Sequence, residues 1–173
     1  MEMKEIESLV DYSKLPKTLK MFLSLFIICM GLGYLCAIGN IATLEGMSIQ
    51  DIADHYHGNE AKMIEPPTVQ TLFEISHVHL LGMATMIFCT GLIFIFTKSA
   101  PHWLKEFALV DGFTAVLIAV ASFWLIRFVA GWMAIFMALS GMLLGLGMLI
   151  MLTVPLYEMW LKKEKLEVAP EVK

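Results

Sequence analysis

One apolar stretch constrains the fold of this chain more than any other feature. Residues 80–96 carry no charged side chain and directly follow a polar segment that contains Glu74, His77 and His79. About twenty apolar residues at the helical rise cross the hydrocarbon core of a bilayer. Residues 71–97 are therefore predicted to form a transmembrane helix, and the ionisable groups at its start are candidates for function.

Three further apolar stretches extend this prediction to the whole chain. A content of 58% hydrophobic and 16% charged residues does not fit a soluble domain of 173 residues. We predict an all-α integral membrane four-helix bundle at 21–160, with spans at 21–40, 71–97, 106–128 and 132–157. A polar segment at 1–20, a long loop at 41–70 and a charged tail at 161–173 complete the chain, and the first apolar run is interpreted as a retained span.

Basic residues predict the orientation of the bundle. Of the 12 Lys and Arg residues, only Lys62 and Arg127 fall on the side of the long loop. Because basic residues concentrate on the cytoplasmic side, both termini are predicted to be cytoplasmic and the loop extracytoplasmic, in a multi-pass protein of the bacterial inner membrane. The remaining basic residues cluster at the chain ends and in one short turn, so we expect no nucleic-acid partner.

The cysteines limit the possible cofactors. Cys29, Cys36 and Cys89 all lie in apolar runs, without a Cys-x-x-Cys or Cys-x-x-Cys-His motif. This pattern excludes covalent c-type haem and does not favour an iron–sulfur cluster. The cysteines are interpreted as small core residues.

The long loop is predicted to contain a short helix. Ser48 would be its N-cap, in the sequence Ser-Ile-Gln-Asp that is typical of a capping box. Ile49, Ile52 and Ala53 would then face the membrane. The acidic side chains of this loop would be exposed to a partner.

Four of the five histidines form two His-x-His pairs, His55 with His57 and His77 with His79. Residues two apart on an α-helix point about 200° away from each other. Glu74 and His77 would therefore share one face of the second span and His79 another. Since the loop returns to the outer end of this span, up to two pairings between the two sets of histidines are expected there.

Such pairings would suit two kinds of cofactor. One or two b-type haems could take axial ligands from His77 or His79 and from His55 or His57, with Arg127 beside the propionates or paired with Glu74. Alternatively, a zinc, copper or iron ion could be bound by histidines together with Glu74. The third possibility is that the loop histidines are solvated and the helix histidines form hydrogen bonds at the interface.

Other features of the spans also have two interpretations. Small residues on the third and fourth spans favour helix packing or self-association, or else leave room for a flat cofactor; they are Gly112, Ala115, Ala119, Ser122, Ala134, Ala138, Gly141 and Gly145. Asp111 either lies near the interface at the helix N-terminus or belongs to a proton path to a quinone.

The sequences Asp-His-Tyr-His-Gly-Asn-Glu at 54–60 and Glu-Ile-Ser-His-Val-His-Leu-Leu-Gly-Met at 74–83 carry a family resemblance. Over residues 46–96 the chain resembles small four-span bacterial membrane proteins associated with respiratory and multihaem-cytochrome systems. Their pattern combines a Tyr-x-Gly-x-Glu loop with a Glu-x-x-His-x-His-Leu helix start. The resemblance implies an electron-transfer setting and the family positions Tyr56, Gly58, Glu60, Glu74, His77 and His79.

These patterns together predict a b-type cytochrome-like membrane subunit that moves electrons between the quinone pool and an extracytoplasmic partner. The partner would be a cytochrome or another membrane subunit, docked on the acidic loop by charge. A metal-dependent membrane protein and a cofactor-free anchor subunit are the alternatives.

Overall fold

Four long helices run through the structure, a computed structural model that describes residues 3–162. The helices are α1 (Met3–Ser8), α2 (Lys17–Leu44), α3 (Ile49–His57), α4 (Val69–Ile95), α5 (His102–Phe128) and α6 (Gly131–Trp160). The long ones, α2, α4, α5 and α6, contain 27 to 30 residues each and are apolar enough to cross a membrane. The predicted all-α membrane bundle is therefore confirmed.

Each long helix begins before its predicted span, and α2 and α6 also end after it, whereas α4 ends at Ile95, two residues before the predicted end. Helix α2, for example, covers Lys17–Leu44 where residues 21–40 were predicted to be in the membrane. The apolar pattern ends where side chains meet water, whereas backbone hydrogen bonds extend the helix beyond that level. Most of the predicted charged tail, residues 163–173, and residues 1–2 of the N-terminal segment lie outside the described residues.

The main core lies between α4, α5 and α6. Buried apolar side chains of all three helices meet there, among them Ile87, Phe94, Ala115, Val116, Met148 and Met151. The small residues of α5 allow this close packing, since a Cβ added at Gly112 would lie 3.3 Å from Ile87. On α6, by contrast, Gly141 is exposed with nothing within 4 Å of an added Cβ. The predicted small-residue faces thus serve helix packing on α5 and only partly on α6.

Helix α2 is packed over one half of its length. Its first half contacts α6, where Trp160 Nε1 donates to Ser24 Oγ at 2.8 Å and Ile27 packs on Met159. Contact continues to the level of Tyr34, whose hydroxyl would lie 3.3 Å from a Cβ at Gly145. None of the residues 35–44 is buried. The second half of α2 therefore has no packed face within the described chain.

Helix α3 closes the end of the bundle that we call the α3 end. The predicted capping box is present: Ser48 Oγ accepts from the Asp51 amide at 3.1 Å, and Asp51 Oδ2 accepts from the Ser48 amide at 3.3 Å. Ile52 and Tyr56 are buried on this helix, in a second cluster with Leu72, Phe123, Ile126 and Ala134. Amphipathic α3 thus covers the ends of α4, α5 and α6.

The N-terminal segment covers the opposite end. Tyr12 is buried and its hydroxyl donates to the Ile93 carbonyl at 2.7 Å. Lys105 is fully buried, and its Nζ donates to Glu7 at 2.6 Å and to the carbonyls of Ile95 and Thr97. The lysines of this end lie opposite Arg127, which is at the α3 end, as the charge pattern predicts. The orientation in the membrane stays a prediction.

Candidate functional site

The two histidines of α4 lie on different sides of the helix, as their spacing predicts. Among the described residues, His77 is exposed without a hydrogen bond or ring contact, and Glu74 on the same face is exposed and accepts from Gln70 at 3.0 Å. His79 is half-buried and contacts Phe123 of α5. The histidine that faces the bundle is therefore His79.

His79 lies where the helix changes its hydrogen-bond pattern. It opens a π-helical segment, His79–Met83, and its Nδ1 lies 2.9 Å from the Ile75 carbonyl. A carbonyl can only accept, so Nδ1 carries the proton and Nε2 of the neutral ring is an acceptor. A second π-helical segment, Phe107–Asp111, lies in α5 and ends at the partly buried Asp111. Such segments frequently occur at functional sites because the wider turn redirects side chains.

His57 has the same tautomer as His79 and lines a cavity. Its Nδ1 lies 2.8 Å from the carbonyl oxygen of Ile126, so Nδ1 carries a proton and, in the neutral ring, Nε2 is the acceptor. The cavity, of about 510 Å³, lies between α3 and the start of α6 and has Ala53, Gly131, Trp132 and Ile135 in its wall. We call it the His57 cavity. Its size falls within the usual range of small-molecule sites.

Aromatic rings lie between His55 of α3 and His79 of α4. Tyr56, which is fully buried, stacks on Phe123 with centroids 5.1 Å apart and an interplanar angle of 15°. The rings of His79 and Phe123 are nearly perpendicular with centroids 5.1 Å apart, and those of His55 and Tyr56 are nearly perpendicular with centroids 4.8 Å apart. The predicted pairings of one loop and one helix histidine are therefore not formed: within residues 3–162 no contact joins two histidines, and no three His, Cys, Asp or Glu residues are grouped as for a metal.

Arg127 holds the end of the loop. Its Nε donates to the Pro67 carbonyl at 3.2 Å, and its guanidinium lies 5.2 Å from the centroid of Phe128. Its pairing with Glu74, one of the alternatives that the sequence left open, is not formed. Arg127 is thus engaged with the backbone just before α4 begins.

A second cavity, of about 360 Å³, lies on the other side of α3. It is lined by Glu45, Asp51, Asp54, His55 and Lys62, together with the last residues of α2, and we call it the Glu45 cavity. Glu45 Oε1 accepts from the Tyr56 hydroxyl at 3.0 Å. Burial raises the pKa of Glu45 against the opposing effect of this hydrogen bond. Burial also lowers the pKa of His55 and, together with Glu45, raises the pKa of Tyr56.

Asp54 is the best-satisfied acid at the α3 end. It is 4% exposed and accepts from Lys62 Nζ at 2.6 Å, from Asn59 at 2.9 Å and from Gln50 at 2.8 Å. These hydrogen bonds, that of Lys62 first, lower the pKa of Asp54 to about 2. Asp54 therefore ties the loop after α3 to the helix.

Sequence reasoning missed the roles of Glu45 and Phe123. Glu45 was counted only as one of several loop acids, although it is the first charged residue after the apolar run of α2. That position, at the end of a span, was the available signal. Phe123 lies within an uncharged and mostly apolar stretch of α5, residues 112–126, so no pattern distinguished it from residues that face lipid.

The family comparison agrees with the fold. The family model Aq_1264_TM, described as a transmembrane helical domain, matches residues 46–166, which is more than half of the chain. The matched range contains α3, α4, α5 and α6 and begins just after α2. No curated protein and no solved structure matches this chain.

Proposed function

Because the chain belongs to the Aq_1264_TM family of transmembrane helical domains, we propose a function exercised within the membrane. The protein is a subunit that binds quinol at the α3 end of the bundle and takes part in electron transfer to an extracytoplasmic partner. The bilayer supplies the quinol, since such molecules are dissolved in its hydrocarbon core.

The observation that carries this proposal is the hydrogen bond between His57 Nδ1 and the Ile126 carbonyl, at 2.8 Å. It leaves Nε2 as an acceptor, and His57 lines the cavity. A quinol hydroxyl donates a hydrogen bond, whereas an oxidised quinone offers only carbonyl acceptors. With its ring neutral, His57 would favour the reduced form of the ligand and could accept one of the two protons released when quinol loses two electrons.

The walls of the His57 cavity support entry from the membrane. Trp132 and Ile135 are exposed large side chains at the start of α6 and line the cavity. Aromatic residues such as Trp132 are typical of the interface between hydrocarbon and water. A quinol ring could therefore reach His57 while its isoprenoid tail stays in the bilayer.

The test measures binding of decylubiquinol to the detergent-purified chain, with quenching of tryptophan fluorescence as the signal. We expect decylubiquinol to bind more tightly than oxidised decylubiquinone, and His57→Ala to weaken quinol binding by roughly tenfold, as the loss of one hydrogen bond implies. His77→Ala is the matched control, since His77 is exposed and makes no hydrogen bond within the described chain. Equal binding to wild type and His57→Ala would refute the role of His57.

Haem b is the redox cofactor that we propose for this subunit, where it would supply a one-electron acceptor. His79 fits the role of a single axial ligand, because its Nδ1 is engaged with a backbone carbonyl as in most ligating histidines. Tyr56 and Phe123 occupy the space toward His55, so within residues 3–162 no second imidazole faces His79.

A reduced-minus-oxidised absorbance spectrum, with metal analysis of the same sample, tests this cofactor. We expect a b-type band that is lost in His79→Ala and retained in His77→Ala. A spectrum without this band, together with stoichiometric zinc, copper or iron in the sample, would contradict the haem proposal and support a metal site instead. A spectrum without this band and a sample without metal would contradict both cofactors. The proposed quinol binding would then rest on its own measurement.

A cofactor-free anchor subunit is the second candidate, and the second half of α2 favours it. None of the residues 35–44 is buried against the bundle. A helix of another membrane subunit would pack there through van der Waals contact. In that case alanine variants of His55, His57, His77 and His79 would all assemble normally, and none would alter ligand binding.

A further inference from the structure

One carboxyl group at the α3 end is only half satisfied. Glu45 Oε1 accepts from the Tyr56 hydroxyl at 3.0 Å, whereas Oε2 is shut off from solvent and has no hydrogen-bond partner among the described residues. An ionised carboxylate with a buried oxygen that receives no hydrogen bond is costly, because water no longer solvates its charge. A neutral carboxyl group avoids most of this cost.

The charged groups around Glu45 favour the neutral form as well. Asp51 and Asp54 of α3 line the same cavity. Lys62 forms its ion pair with Asp54, and within residues 3–162 no lysine or arginine pairs with Glu45. His55 also lines the cavity, and burial lowers its pKa, so it adds no positive charge at neutral pH. Behind Tyr56 lies the apolar ring of Phe123.

The same hydrogen bond connects two elements that otherwise meet loosely. Glu45 directly follows α2, whose residues 35–44 include no buried position. Tyr56 is fully buried and fixed by stacking on Phe123. The Glu45–Tyr56 contact thus fastens the free half of α2 to the rigid part of the α3 end.

We propose that Glu45 is a proton-binding site that holds the end of α2 against α3 while it is protonated. Loss of the proton to water leaves a carboxylate that faces Asp51 and Asp54 and gains hydration by leaving its buried position. The end of α2 then separates from α3. With the predicted orientation, the site responds to the pH of the extracytoplasmic side.

The direction of this response follows from linkage. Burial raises the pKa of Glu45 in the docked state, so the docked state binds more protons than the separated one. Docking is therefore most favourable at low pH and is lost as the pH rises through the docked-state pKa. The proton site is distinct from the proposed quinol site, since Glu45 and His57 line different cavities.

Infrared spectroscopy of the full chain in lipid nanodiscs tests the proton. We expect a protonated-carboxyl C=O band that persists above the pH at which ordinary glutamates ionise, disappears as the pH rises further and is absent in Glu45→Gln. Tyr56→Phe removes a hydrogen bond that lowers the Glu45 pKa, so the midpoint of this band should move to higher pH. Glu65→Gln, at an exposed acid of the same loop, should leave the band unchanged.

Spin labels test the movement. Labels at Thr43→Cys and Ile49→Cys, with Cys29, Cys36 and Cys89 replaced by alanine, report the separation of α2 and α3. We expect the distance to lengthen as the pH rises in the Glu45 protein and to stay constant in Glu45→Gln, which accepts from Tyr56 but cannot ionise. The proposal is overturned if both proteins respond to pH alike, or if Glu45→Gln keeps the full carboxyl band. Should Glu45→Gln fail to assemble, an unchanged midpoint in Tyr56→Phe overturns it.

Discussion

Single polar residues at the α3 end differ in how completely their hydrogen-bonding groups are satisfied. Asp54 accepts from three side chains, and Nδ1 of His57 and Nδ1 of His79 each have a backbone carbonyl partner. Within the described chain, Glu45 keeps one buried oxygen without a partner. Buried polar groups are normally paired, so the exception marks a group with a changeable protonation state.

Asp54→Asn should destabilise the protein in a pH-dependent way. The pKa of Asp54 is lowered to about 2, so its contribution is present above the unfolded-state value and is lost as the pH falls through about 2. We expect the Asp54→Asn variant to have a thermal midpoint in detergent that is lower by a few degrees at neutral pH, with the difference from wild type closing in acid. Glu60→Gln, at an exposed acid of the same loop, is the control and should show no such gap.

At the scale of elements, the short helix α3 depends on its two ends. The capping box fixes its start, and Gly46 and Gly58 form the corners before and after it with φ of +82° and +89°. These left-handed values place Ile52 and Tyr56 in the bundle within a loop of polar composition. Both cavities border α3, so its position sets the geometry of both candidate sites.

Gly46→Ala should disturb this corner. An added Cβ would lie 2.5 Å from Asp51 Cβ, and the positive φ alone costs an alanine about 1–2 kcal/mol. We expect faster amide hydrogen exchange in α3 and weaker quinol binding. In the matched variant Gly39→Ala the new methyl group meets nothing within 4 Å in a helix, so exchange in α3 should be unchanged. If hydrogen exchange in α3 is unchanged in Gly46→Ala too, the turn at Gly46 does not determine the position of α3.

At the scale of the whole molecule, two ends of the bundle are closed in different ways. The N-terminal segment buries Tyr12 and pairs Glu7 with the buried Lys105. The α3 end is closed by an amphipathic helix and by loop residues tied to Asp54 and Arg127. The end with most of the lysines is predicted to face the cytoplasm.

Thiol labelling of intact cells tests this orientation. With the native cysteines replaced by alanine, Met63→Cys lies in a loop at the α3 end where the native side chain is 90% exposed. Ser99→Cys lies in the exposed turn at the other end. We expect an impermeant maleimide to label position 63 from outside and position 99 only after the cells are opened. The reverse pattern would invert the topology and place both cavities in the cytoplasm.

Much of the fold could be predicted because it depends on local properties. The length of an apolar run decides whether a helix can span the bilayer, and Ser48 with Asp51 defines the start of α3 without reference to the rest of the chain. Helical periodicity also separated His77 from His79. The sequence could not tell which of the two faces the bundle, because both faces of α4 are apolar.

What the sequence by itself determined was therefore an all-helical membrane bundle, the existence of α3 and the candidate histidines. Only the tertiary structure decided that His79 faces inward, that Tyr56 and Phe123 lie between His55 and His79, and that Glu45 reaches Tyr56. The physical reason is that inside a membrane protein hydrophobicity does not distinguish lipid-facing from buried positions. Side-chain packing and the pairing of polar groups between distant segments make that choice.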